Sequence, residues 1–173
     1  NELSRFASDL LAEFESDRDS RKDWEDTYIK GLDMLGFKYE DRTQPFEGAS
    51  GVVHPLLAES VTQFQAQAYK ELLPPSGPVR TQVVGLETPE TNEQAQRVQE
   101  FMNYQITEVM QEYDPDMDQL LFYLPLCGSA FKKVYYDGLM KRACATFVAG
   151  EDLVINYMAN DLESADRITQ IIK

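Results

Sequence analysis

The stretch from Asp114 to Asp137, DPDMDQLLFYLPLCGSAFKKVYYD, decides the fold class. Asp114 followed by Pro115 reads as a helix start, with an N-cap acceptor and a proline at the first helical position. Asp116 and Asp118 then face the positive end of the helix dipole. Met117, Leu120, Leu121 and Leu124 fall on one side, so this face must be covered. Pro125 disrupts the last turn and Gly128 frees the backbone. The run from Ala130 to Tyr136 is aromatic and β-branched, as a strand would be, and Asp137-Gly138 signals a hairpin.

Upstream of this junction the chain reads as helices. Leu3, Phe6, Leu10 and Phe14 define a short amphipathic helix, which the charged cap formers of ESDRDS (15–20) should interrupt. Ser20 with Asp23 resembles a capping box opening a second helix, with the stripe Trp24, Tyr28, Leu32 and Leu35 and a stop at Gly36. A long connection follows, with Pro45, Gly48, Ala49, Ser50 and Gly51. A loop of this length is expected to be an assembly contact. From Pro55 the stripe Leu57, Val61, Phe64, Ala68 and Leu72 makes a helix of about 19 residues, ended by Pro74 and Pro75. Val79 to Val84 alternates like a short strand with Thr81 and Val83 on one face. Thr88-Pro89-Glu90 opens another helix, buried along Val98, Phe101, Gln105, Val109 and Tyr113, with Met102 and Ile106 widening the face.

Downstream, the hairpin returns as a strand over 144–148. Further strands are expected at 153–156 and 165–172. Helices first and strands later predict an α+β fold, with several amphipathic helices followed by a small, mainly antiparallel sheet. The expected organisation is an N-terminal helical pair (1–42), a loop (43–54), a helical core with a short strand near 79–84 (55–128) and a sheet portion (129–173). The absence of an initial Met and the strand-like RITQIIK at the end suggest a piece of a longer protein.

Composition narrows the function classes. Hydrophobic residues at 43% and aromatics at 11% exclude a disordered tail. A net charge of −14 argues against a chain that grips nucleic acid through its phosphates. Cys127 and Cys144 are too few for a disulfide framework and are expected to be reduced, partly buried thiols. No apolar run approaches the roughly 20 residues that span a bilayer, so no membrane role is expected.

Residue patterns that could carry chemistry are weak. His54 is the only histidine, and its place before Pro55 suits the start of a helix better than a metal site or triad. Asp114, Asp116 and Asp118 form the D-x-D-x-D opening of a calcium loop, but Gln119 and Pro125 stand where that loop needs glycine and a bidentate glutamate. The glycine-rich 48–51 lacks the G-x-x-x-x-G-K-[ST] of a phosphate cradle. Ser50, Ser60, Ser76 and Ser129 have no nucleophile-elbow context. Lys132, Lys133, Lys141 and Arg142 cluster beside Tyr135 and Tyr136. Basic and aromatic residues together can hold single-stranded nucleic acid, and the same residues could meet the acidic face of a neighbouring subunit. The favoured reading is a charged edge that blocks sheet-to-sheet aggregation. No catalytic, cofactor-binding or metal-binding residue is nominated.

The run LPLCGSAFKKVYYD (124–137), followed by FVAGEDLVINYMANDLESADRIT (147–169), resembles the portal proteins of tailed bacteriophages, most closely those of short-tailed phages. DWEDTYIKGLDMLGF (23–37) and SGVVHPLLAESVTQFQAQAYKELLP (50–74) extend the resemblance over most of the chain. It implies a structural subunit without enzymatic activity or cofactor, assembled in the host cytoplasm and carried in the virion. Such subunits form a dodecameric ring at one capsid vertex, a conduit for DNA packaging and ejection. DNA passes through without sequence-specific binding, and terminase, tail or head-completion proteins and capsid proteins attach. The segments quoted correspond to the outer wing region. Trp24, Phe64, Phe101 and Phe122 are then expected to anchor helices against one another and against the adjacent subunit, with Phe101 a core residue. The alternatives are an acidic adaptor domain that docks a basic protein, and an enzyme whose site is completed by residues elsewhere.

Overall fold

The structure is a computed structural model describing residues 2–36, 46–49 and 54–172. Its organising element is helix α5, Tyr113–Cys127, against which the helix α3, Leu56–Leu72, and the strand β2, Arg142–Val148, both pack. The predicted stripe lands where expected: Leu121 is buried, and Met117, Leu120 and Leu124 are half-buried. The helix start differs. Its N-cap is Glu112, and Pro115 takes the third helical position, where its missing N–H is still one of the unpaired four. Asp114 does not cap because its carboxylate accepts the Tyr69 hydroxyl on α3. The helix also continues through Pro125, ending at Gly128 in the left-handed conformation (φ 78°), whose N–H donates to the Leu124 carbonyl at 2.9 Å. A proline one turn from the end removes a single ladder bond, which packing on both sides of α5 outweighs.

The α+β class holds among the described residues, as five α-helices and two separate two-stranded antiparallel sheets. β1, Phe131–Asp137, pairs with β2 from Phe131 opposite Val148 to Asp137 opposite Arg142. The hairpin forms at Asp137-Gly138 with four connecting residues. The Asp137 carboxylate accepts the N–H groups of Leu139 (2.7 Å) and Met140 (3.0 Å), and Lys141 takes φ 53°. β3, Leu153–Ile155, and β4, Ile168–Gln170, form the second sheet and are shorter than their apolar runs suggest.

The helix α1, Glu2–Ser20, runs straight through ESDRDS. Its cap formers are engaged elsewhere. Asp17 is buried against Arg167 and Asn156, and the Ser20 hydroxyl donates to the Asp17 carbonyl while accepting the Tyr157 N–H at 3.0 Å. Tertiary partners thus override the local break, and no capping box joins Ser20 to Asp23, because the N-cap of α2, Lys22–Leu35, is Arg21. The α2 stripe is as predicted, with Tyr28 buried and stacked on Trp24, and Gly36 closing the helix. The expected loop contact lies largely outside the described residues.

The strand expected at 79–84 does not form. Burial still alternates along it with the expected two-residue period, Val79, Thr81 and Val83 being half-buried. Among the described residues no strand pairs with it. Instead the helix α4, Pro89–Tyr104, supplies side chains in place of a ladder. The Asn103 amide accepts the Val79 N–H at 2.9 Å and donates to the Val79 carbonyl at 3.1 Å, and Gln99 Oε1 accepts the Thr81 N–H at 3.1 Å. This contact rotates α4 away from the predicted face. Ala95, Gln99 and Asn103 pack inward, leaving Phe101 62% exposed with Val98 and Met102 also outside. The predicted cap at Thr88 does form, as a reciprocal box with Thr91 and with Pro89 at the first position. α4 ends in a π-helical turn, Gln105–Val109.

Candidate functional site

Two features stand out from the packing: a guanidinium knot under the N-terminal helices, and the exposed β1–β2 hairpin. The knot is built on Arg21, only 6% exposed at the α1–α2 junction. Its Nη1 donates to the carbonyls of Gly150 (3.0 Å) and Leu153 (2.9 Å), and its Nη2 to that of Glu151 (2.8 Å). Nε donates to Glu25 Oε1 at 3.0 Å, and Nη2 lies 3.0 Å from the same oxygen. The plane also lies over Trp24, 5.1 Å from the ring centre. All five donors of the fork are engaged. A second guanidinium, Arg167, ties β4 back to α1 through Asp17 Oδ2 (2.9 Å) and the carboxylate of Glu13.

Beside the knot is a cleft of about 230 Å³ lined by Arg21, Trp24, Cys127, Phe131, Leu153 and Tyr157 among others. That is below the roughly 300–1,000 Å³ of small-molecule sites. Burial pushes the Cys127 thiol up, the opposite of an activated nucleophile. Trp24 Nε1 donates to the Cys127 carbonyl at 2.9 Å, so the cleft is braced by α2 against the end of α5. Cys127 and Cys144 are both buried and unpaired.

The other candidates disperse. Asp114, Asp116 and Asp118 point at different neighbours: the Tyr69 hydroxyl, the Phe147 N–H (2.6 Å) and the Gln65 amide (2.7 Å). Among the described residues no three His, Cys, Asp or Glu side chains gather as a metal site. His54 is exposed, its carbonyl accepting the Leu56 N–H as α3 begins. The Ser60 hydroxyl donates to the Leu56 carbonyl, Ser76 and Ser129 are exposed, and Ser50 lies outside the described residues. No helix among the described residues is long and apolar enough to cross a membrane.

The basic cluster is mostly engaged within the chain. Lys132 Nζ donates to the Tyr113 carbonyl at 3.3 Å and sits 3.5 Å from the centre of its ring, and burial pushes its pKa down. Lys133 reaches Gln170 Oε1 at 3.1 Å. Arg142 Nη1 lies 2.8 Å from both oxygens of Glu112. Burial alone would raise the Glu112 pKa. Bonds from its own N–H, from Arg142 and from the Ala145 N–H outweigh this and hold it below the usual value. Lys141 stays exposed at the turn, and beside it the hairpin offers apolar side chains outward: Val134 is 71% exposed, Tyr136 68% and Leu139 96%.

Of the predicted anchors, Trp24 and Phe122 are half-buried, whereas Phe64 and Phe101 stand outside. Sequence reasoning missed Arg21, Asp17, Glu112 and Asn103, since a polar side chain that finds its partner far along the chain leaves no hydrophobic periodicity. Asn103 alone had a signal: Thr91, Ala95, Gln99 and Asn103 recur every four residues, a helical stripe competing with the apolar one.

No known family model matches the chain, and comparison with curated proteins finds no match.

Proposed function

We propose that this chain is part of a structural subunit of a viral portal ring, the conduit for DNA at one capsid vertex. In this reading sister copies cover its apolar rows, and terminase, tail or head-completion proteins and capsid proteins attach to the whole subunit. The virion carries it after assembly in the host cytoplasm. The segmental resemblance supports the reading, and so does the charge of −14, which suits a wall that DNA slides past.

The observation that carries it is a surplus of aligned apolar surface. Single exposed apolar residues are ordinary, but rows of them mark contact surfaces. Leu3, Phe6 and Leu10 form such a row on α1, and Val98, Phe101 and Met102 another on α4. Among the described residues 27 large hydrophobic side chains are exposed against eight buried hydrophobic residues, too small a core for this much amphipathic helix. The role is mechanical: helices and a hairpin that hold neighbours in register.

Negative-stain imaging of the full-length protein tests the proposal, with a ring around a central hole as the expected result. A monodisperse monomer would overturn it. A monomer with salt-sensitive affinity for a basic protein would establish the acidic-adaptor alternative, and turnover of a substrate would establish an enzyme.

A further inference from the structure

Two segments of this chain present unpaired extended backbone, and the hydrogen bonds identify which residues do so. Ala145 and Phe147 of β2 send their N–H groups to Glu112 Oε1 (3.3 Å) and Asp116 Oδ2 (2.6 Å), away from β1. Their register partners Val134 and Lys132 therefore belong to non-hydrogen-bonded pairs, whose own N–H and C=O groups point away from β2. Tyr136 follows by the two-residue period. The carboxylates of Glu112, the N-cap of α5, and of Asp116 in its first turn hold these two outward N–H groups of β2. The outer edge of β1 meets no strand and no capping side chain among the described residues.

The second segment is 79–84. Its inner edge is held by Asn103 and Gln99 through the backbone of Val79 and Thr81. The same period turns the backbone of Arg80, Gln82 and Val84 outward, and all three side chains are exposed. The chain thus carries two complementary open edges, each offering three residues at a repeat of about 6.8 Å.

We infer that β1 of one copy pairs with residues 80–84 of the next, adding a strand across the subunit boundary. The inference rests on the proposed reading that copies of this chain assemble. Charge selects the direction. Antiparallel pairing centred on Val134 opposite Gln82 sets Lys132 against Val84, and Tyr136 against Arg80 with Asp137 adjacent. Parallel pairing about the same centre sets Lys132 against Arg80, and like charges opposite one another are destabilising. The occupant is a second copy because both edges belong to one chain and neither is filled among the described residues. Two different surfaces meet, so the contact is heterologous, the kind that closes into a ring when the rotation allows.

Proline at 134 separates this pairing from folding. The Val134 N–H serves no bond to β2, so Val134→Pro sits on the open edge, where proline is tolerated. In the full-length protein this variant should keep the wild-type circular dichroism and melting curve while self-association weakens about two- to tenfold, the loss of the one backbone bond that the Val134 N–H would donate. A second variant joins Val134→Cys with Gln82→Cys, a pair within disulfide reach in the antiparallel register. On oxidation it should give covalent multimers beyond the dimer on non-reducing gels, and neither single variant should. Wild-type assembly by Val134→Pro together with no such ladder overturns the strand pairing while leaving the ring reading intact. If Val134→Pro misfolds, the cysteine pair decides alone, and the absence of a ladder overturns the pairing. A wild-type protein that stays monomeric at all concentrations overturns both.

Discussion

Replacing Arg21 should detach the β3–β4 sheet from the N-terminal helices. The side chain is 6% exposed and binds four oxygens, three of them the carbonyls of Gly150, Glu151 and Leu153. Hydrogen bonds from a charged donor contribute about 1.5–3 kcal/mol each in isolation. They are not additive here, because removing the guanidinium lets water from the adjoining cleft reach some of the carbonyls. Loss of one partner from a buried ionic cluster costs about 3–5 kcal/mol, and that figure governs Arg21→Met, which keeps the apolar stem and removes every donor. Against a total stability of about 5–15 kcal/mol this is a large fraction. Melting should fall by about 10 °C at roughly 2–4 °C per kcal/mol. Arg21→Lys should recover less than half, since one ammonium cannot span three carbonyls and Glu25. Hydrogen exchange on the full-length protein localises the effect: amides of β3 and β4 should exchange at least about tenfold faster, with α3 and α5 unchanged. Arg21→Met melting within about 1 kcal/mol of wild type, with β3 still protected, would refute the argument.

Three further outcomes follow from the packing. A methyl group at Gly150 would stand 2.3 Å from Cys127 Sγ and 3.1 Å from the Ser129 carbonyl. Gly150→Ala should therefore cost about 1–3 kcal/mol, and thermal melts of the double variant with Cys127→Ala should show favourable coupling. Phe101→Ala, on a face that is exposed in the single chain, should change the stability of the dissociated subunit by no more than about 0.5 kcal/mol in denaturant titration, against the roughly 3–5 kcal/mol of a core phenylalanine. Glu112 has a folded pKa below its ordinary 4.5, so its contribution is present above that value and is lost as pH falls through the lower folded value. Acid titration of stability should accordingly show a shallower loss below pH 4.5 for Glu112→Gln than for wild type.

Much of this molecule was legible in local pattern. The α5 stripe, the Trp24–Tyr28–Leu32–Leu35 face, the Thr88 cap, the glycine stop at 128 and the hairpin at Asp137 all depend on neighbours within a few residues, and all appear. They suffice for an α+β chain, since periodicity and capping are properties of short segments.

Three matters were left to tertiary structure, each for the same reason. ESDRDS continues a helix because Asp17 and Ser20 find partners around 140 residues away, which cancels their preference for a break. Among the described residues, 79–84 pair with no strand, because Asn103 and Gln99 take the place of a neighbouring one, and that choice turns Phe101 to the surface. The Arg21 knot joins the first helices to β3 through backbone carbonyls, whose identity no side-chain pattern encodes. Short-range chemistry in the sequence determined where helices and turns lie. Which face α4 buries, and how β3 and β4 attach to the first helices, was decided by polar contacts between residues distant in the chain.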